Sequence, residues 1–442
     1  MLNGIFLTIV LLSILMAAFS GRMEMLTQAT LQSARSAVTL ALGLIGVMAF
    51  FLGVMRVASD GGVLNFISRA LYPILRLLFP TVPRDHPAMS AMILNISSNL
   101  LGLGNAATPF GLKAMMELNC LNHEKDTATN EMVLFLAINT SGLAMLPAGV
   151  IGLRVAADSQ DPAGILMTTW FASGCATVAG ILAARLLART APYSLTKVTS
   201  GNVTLQNRSF TVSDFHATED TSEPPKPSIA LTPPRWGKLV VLLFYFFLLV
   251  ALVMHLSREA STTPSSNLIR NILSYWILPV FISGLILFGW ARGAKVYDSL
   301  VEGAKEGFQV AVKIIPYLVA ILVAIGMFRA SGGLDLLAWV IGPITNLIGM
   351  PPETLPVALV RPLSGTAALG VMTEVMKTHG PDSFIGYMVS TFYGSTETTF
   401  YVLAVYFGAV NIKKTRHALP ACLTADITGI LAAVLIVNLI FG

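Results

Sequence analysis

The sequence predicts an all-α polytopic membrane protein made of two inverted repeats, with helical hairpins and broken helices. Three observations carry that expectation. Only 12% of residues are charged and 55% are apolar, against about 25% charged in ordinary soluble domains. Apolar runs close to the ~20 residues needed to cross a bilayer recur along the whole chain. A polar stretch then separates two halves that repeat the same order of features.

The runs are 4–20, 37–57, 131–150, 163–187, 238–255, 268–290, 311–328, 383–407 and 418–441. Small residues at Ala17, Ala18 and Ser20 allow a cleavage site. No basic segment precedes the first run, however, so a retained helix is expected. Each half opens on an apolar run, 4–20 or 268–290, and continues with an amphipathic stretch, 21–36 or 291–310. Two apolar arms follow, joined at Gly61-Gly62 in the first half and Gly332-Gly333 in the second. The strings MRVASDGGVLNFI (55–67) and MFRASGGLDLLAW (327–339) resemble each other directly. Glycine suits the tips of such hairpins because it takes positive φ at little steric cost.

The dividing stretch holds Pro192, Pro224, Pro225, Pro227, Pro233 and Pro234 among many Ser and Thr. It has little with which to build a core. The expected division is therefore a repeat at 1–190, a linker at 191–237, and a second repeat at 238–442 led by one extra helix. Arg185, Arg189, Lys197, Arg208 and Arg235 place the linker in the cytoplasm. Arg292, Lys295, Lys305, Lys313, Lys413, Lys414 and Arg416 place the matching ends of the second half there too. The unmatched run 238–255 adds one crossing and so inverts the second repeat. This scheme leaves Arg22, Arg35 and Arg154 outside.

A net charge of +5 fits cytoplasmic loops and gives no reason to expect nucleic acid as a partner. The expected surroundings are the lipid bilayer of a bacterial cytoplasmic (inner) membrane, with a homo-oligomer as the quaternary state. Cys120, Cys175 and Cys422 and the six His are scattered without ligand spacing, so neither a metal nor a resident cofactor is expected. GxSxG, Walker A and HExxH patterns are absent from the sequence, and an enzyme is not expected.

Polar residues inside apolar segments mark the candidate solute site, because hydrocarbon penalises them. In the first half Asn99, Asn105 and Thr108 lie among Gly102, Gly104, Pro109 and Gly111, with Asn139, Thr140 and Ser141 following. In the second half Arg361, Ser364 and Thr366 are followed by Ser395, Thr396 and Glu397. Gly and Pro loosen a helix and free backbone groups, which is tolerated at membrane depth only beside protein or water. Arg361 can hold an anionic group, pair with Glu374 or Glu397, or snorkel to an interface. Glu397 is the sharpest candidate: it can bind solute hydroxyls or amines, or carry a coupling H⁺ or Na⁺. Burial there would favour its neutral form. Asp426 and Lys113 are weaker candidates, expected close to a membrane surface. The alternative for all of these is that they only tie helices together.

NLLGLGNAATPFGLKAMMEL (99–118), VRPLSGTAALGVM (360–372) and GPDSFIGYMVSTFYGSTETTFYVLAVYFG (380–408) resemble the spore maturation protein A and B family of nucleoside-recognition (Gate) membrane proteins. The first string is similar to the A protein and the other two to the B protein, as if the two were joined. The resemblance implies a fold similar to concentrative nucleoside transporters, with re-entrant hairpins at 37–79 and 311–348, and a permease for a nucleoside-like solute, amino acid or peptide. It equally implies a non-transporting role in envelope or spore maturation.

Overall fold

A computed structural model describes residues 2–83, 86–102, 104–124, 126–190, 234, 236–259 and 275–442. Nearly all of the expected linker, and the start of the run at 268–290, lie outside these residues.

The first half contains α1 (Leu2–Phe19), α2 (Met23–Asp60), α3 (Val63–Leu78), α4 (Pro87–Leu100), α5 (Gly104–Cys120), α6 (Asn130–Thr140), α7 (Ala148–Ala156) and α8 (Leu166–Leu187). Next comes α9 (Gly237–Glu259). The second half contains α10 (Ile277–Ala291), α11 (Val296–Ala330), α12 (Gly333–Asn346), α13 (Leu355–Val360), α14 (Gly365–His379), α15 (Phe384–Ser395), α16 (Thr399–Ala409) and α17 (Ala418–Phe441). The order matches element for element, with α9 left over. Even the caps correspond: Thr129 accepts from Met132 N to start α6, and Ser383 accepts from Gly386 N to start α15.

Among the described residues four helices, α2, α8, α9 and α17, are long and apolar enough to cross a membrane. The amphipathic stretch 21–36 and the arm 37–57 form one 38-residue helix, because nothing at Ser36-Ala37 interrupts the backbone. At 1.5 Å per residue α2 is about 57 Å long and exceeds the ~30 Å hydrocarbon core. Each hairpin thus has one arm of spanning length and one short arm. The tips fall where expected: Gly62 (φ 79°) and Gly332 (φ 87°) adopt the left-handed conformation and start α3 and α12. Their partners Gly61 and Gly333 do not need it.

Corresponding helices of the two halves pack antiparallel. Along α2 and α11, Ser33 meets Gly326, Ala49 meets Gly307 and Gly53 meets Gly303. A Cβ on Gly303 would lie 2.5 Å from Leu52 O, so the backbones touch. Arg56 pairs with Glu306 at 2.9 Å across the same contact. Along α8 and α17, Gly180 meets Ala425 and Ala176 meets Gly429. Such small residues let helices approach closely in lipid. The leading helices are exchanged: α1 packs on α11 and α10 on α2. Both large apolar clusters mix residues of the two halves. In α9, by contrast, no described side chain from Lys238 to Arg258 is buried.

The runs at 131–150 and 383–407 are not continuous helices. Residues 141–147 separate α6 from α7, and 396–398 separate α15 from α16. The pieces have 11 and 9 residues in one case and 12 and 11 in the other. None spans a bilayer alone, and each break falls near the middle of a pair that would span one.

Candidate functional site

Four helix interruptions meet in a row. The first, at Leu101 and Gly102, lies between α4 and α5, and the last, at 361–364, lies between α13 and α14. Met145 N donates to Leu100 O at 2.7 Å, tying the α4–α5 break to the α6–α7 break. Glu397 N donates to Thr140 O at 2.8 Å, tying that break to the one between α15 and α16. Phe400 N donates to Pro362 O at 3.0 Å and completes the chain. A backbone released from its helix must find partners elsewhere, and these breaks supply one another. Gly142 is needed at the crossing between halves: its φ is 60°, and a Cβ there would sit 2.7 Å from the Thr396 carbonyl carbon.

The predicted residues divide into three groups. Asn99 Nδ2 donates to Asn139 Oδ1 at 2.9 Å, joining two of them across a break. Asn99, Thr108 and Thr366 are half-buried. Ser364 caps α14 by accepting from Ala367 N, and its hydroxyl lies 3.3 Å from that of Thr366.

The second group is turned inward. Thr140, Ser141, Ser395 and Thr396 are at most 1% exposed. Their hydroxyls donate to carbonyls of the preceding turn, those of Ala137, Ile138 and Phe392. They hold the broken ends together and are turned away from solvent. The Asn105 side chain lies outside the described residues.

Arg361 and Glu397 form the third group. Arg361 is 4% exposed. It donates to Thr396 O, to Thr398 Oγ1 at 3.0 Å and to Tyr393 O at 3.2 Å. Its guanidinium stacks 4.3 Å from the centre of the Tyr393 ring. It pairs with Glu397 at 3.6 Å, whereas Glu374 pairs with Arg329. Arg361 therefore clamps the α15–α16 break. Glu397 is not buried, contrary to expectation: 55% of its side chain is exposed. Extended backbone at Thr396 (φ −138°, ψ 161°) turns the peptide out of the α15 helix there.

Asp426 lies in α17. It is 1% exposed, and its Oδ2 accepts from Thr399 Oγ1 at 2.7 Å. Lys113 is exposed.

Arg154, which the charge scheme left on the non-cytoplasmic side, is fully buried. It donates to Pro381 O at 2.7 Å, Asp161 O at 2.9 Å and Asp382 Oδ1 at 2.8 Å, and lies 4.4 Å over the Tyr387 ring. Tyr387 in turn donates to Asp161 Oδ2 at 2.9 Å. This knot ties α7 to the start of α15. Beside it a cavity of about 1080 Å³ opens among Gln28, Gln32, Arg35, Ser36, Glu374 and Lys377, with Ala157 and Pro381 on its wall. None of the predicted site residues lines it. Among the described residues no group of three His, Cys, Asp or Glu is placed to hold a metal.

A family described as nucleoside recognition (Gate) matches residues 41–157 and 311–413. Spore maturation protein B of Bacillus subtilis (strain 168) is 51% identical over 174 residues, which cover 39% of this chain and 98% of that protein. Spore maturation protein A of the same organism is 38% identical over 166 residues, covering 38% of this chain and 85% of that protein. No solved structure matches.

Proposed function

Because this chain belongs to the spore maturation protein A and B family, we propose that it is a bacterial inner-membrane permease for a small polar solute. The supporting observation is the row of four interrupted helices, two from each half, that share backbone hydrogen bonds. Transporters with inverted repeats bind solutes near the midplane, where discontinuous helices meet. The antiparallel pairing of α2 with α11 and α8 with α17 is what inversion of one half against the other produces.

In this reading, Glu397 and the half-buried Asn99, Thr108 and Thr366 contact the solute. Glu397 accepts from hydroxyls or amines, and the Asn99–Asn139 pair offers both a donor and an acceptor. A nucleoside-like molecule, an amino acid or a short peptide carries the matching groups. Arg361 and the inward hydroxyls hold the broken ends. The α2–α11 pair, packed backbone to backbone, acts as the fixed spine. Alternating access parts the α6–α7 and α15–α16 breaks.

The test is thermal stability of the purified protein against nucleosides, nucleobases, amino acids and short peptides, with and without Na⁺. A ligand at about 100 times its Kd adds roughly 2.7 kcal/mol. One class is expected to raise the melting temperature, and Glu397→Gln to abolish the rise while leaving the apo protein folded. A well-folded protein that no class stabilises would instead support a role in envelope or spore assembly through partner proteins.

A further inference from the structure

Asp426 lies in the first half of α17, a 24-residue apolar helix. One carboxylate oxygen accepts from Thr399 at the head of α16. The other, Oδ1, is buried and has no hydrogen-bond partner among the described residues.

Four helices pack around this part of α17: α6, α8, α15 and α16. From α8, Ala176 and Gly180 face Gly429 and Ala425. From α15, Thr396 turns its methyl group toward Gly429. From α6, Thr140 lies beside Cys422, one turn before Asp426. From α16 comes Thr399. The charged groups whose fields reach Asp426 are Arg361 and Glu397, and Arg361 is already committed to Thr396, Thr398 and Glu397. Among the described residues no Lys, Arg or His pairs with Asp426.

An ionised carboxylate in such a place is an uncompensated buried charge, one of the costliest arrangements in a protein interior. A metal cation would need several oxygen ligands, but α8 and α17 offer alanine and glycine. A proton needs none of them. We propose that Asp426 carries the coupling proton of the permease. With the breaks packed as here, the carboxyl is protonated. When α15 and α16 part, water reaches Asp426, the O–H bond breaks, the proton passes to water and a carboxylate remains. Repacking requires the reverse step. The role in coupling rests on the permease reading, whereas the protonation state does not.

Infrared spectroscopy of the full chain in lipid nanodiscs at neutral pH, without solute, reads the protonation directly. We expect a protonated-carboxyl C=O band that Asp426→Asn removes and Thr399→Val moves to higher frequency. Identical spectra for wild type and Asp426→Asn would overturn the assignment. If Asp426→Asn does not fold, Thr399→Val decides alone, since an unmoved band belongs to another group. A second arm uses proteoliposomes with a pH dye inside and the solute class found by thermal stability. Wild type is expected to move protons with solute, and Asp426→Asn to move solute without them. Solute flux that needs Na⁺ and moves no proton overturns the coupling and leaves the permease standing. No flux at all, with the infrared band intact, overturns the permease reading and the coupling together.

Discussion

His417 closes the loop before α17. It is fully buried and hydrogen-bonded to the backbone of Ala184. Burial, with Arg416 next to it, lowers its pKa from an ordinary 6.5 to about 4. The unfolded chain therefore takes up a proton first as pH falls. The resulting stability is present in full above pH 6.5 and is lost progressively down to about pH 4. His417→Gln is expected to flatten the fall in melting temperature over that interval, and an unchanged slope would assign the fall to other groups. No local pattern around His417 announces this, since its neighbours come from α8. Glu397 and Asp426 teach the same lesson. Both stand in apolar strings, and only the backbone turn at Thr396 decides that one side chain emerges while the other is enclosed. The burial of Arg154 was not legible, because one Arg beside an apolar run does not name its partners. Its acceptors at Pro381 and Asp382 lie more than two hundred residues away.

The helices themselves were largely legible. Gly-Gly fixed both hairpin tips, and Gly with Pro marked the breaks at 101–102 and 361–364. The breaks at 141–147 and 396–398 were seen only as polar insertions, because hydropathy averaged over a window hides a short unwound segment. Their ends are held by tertiary partners. The Arg154 knot is one such partner, as it fastens α7 to the start of α15. Removing one member of a buried ion pair typically costs about 3–5 kcal/mol. Arg154→Met is expected to lower the melting temperature sharply, and adding Asp382→Asn to restore part of the loss. A double variant no better than the single one would show that the Pro381 and Asp161 carbonyls, not the ion pair, dominate.

The two halves have no separate cores. The spine of α2 and α11, the α8–α17 pair and both apolar clusters are shared between them. The sequence revealed the repetition but not this exchange, because which helix faces which copy is set by packing at Gly53, Gly303 and Gly307. Residues 1–190 and 238–442, co-expressed as separate chains, are therefore expected to assemble. A tag on one should retrieve the other in equal amount, and each alone should be degraded or aggregate. Recovery of either half as a stable, soluble species in detergent would contradict a shared core.

α9 touches little of this assembly, yet it is the only described helix without a counterpart in the other half. One ribosome carries the chain through it, so every translation event delivers both halves in the same number and to the same patch of membrane. Matched supply, which two separate genes must achieve by regulation, is here a property of a single covalent bond path.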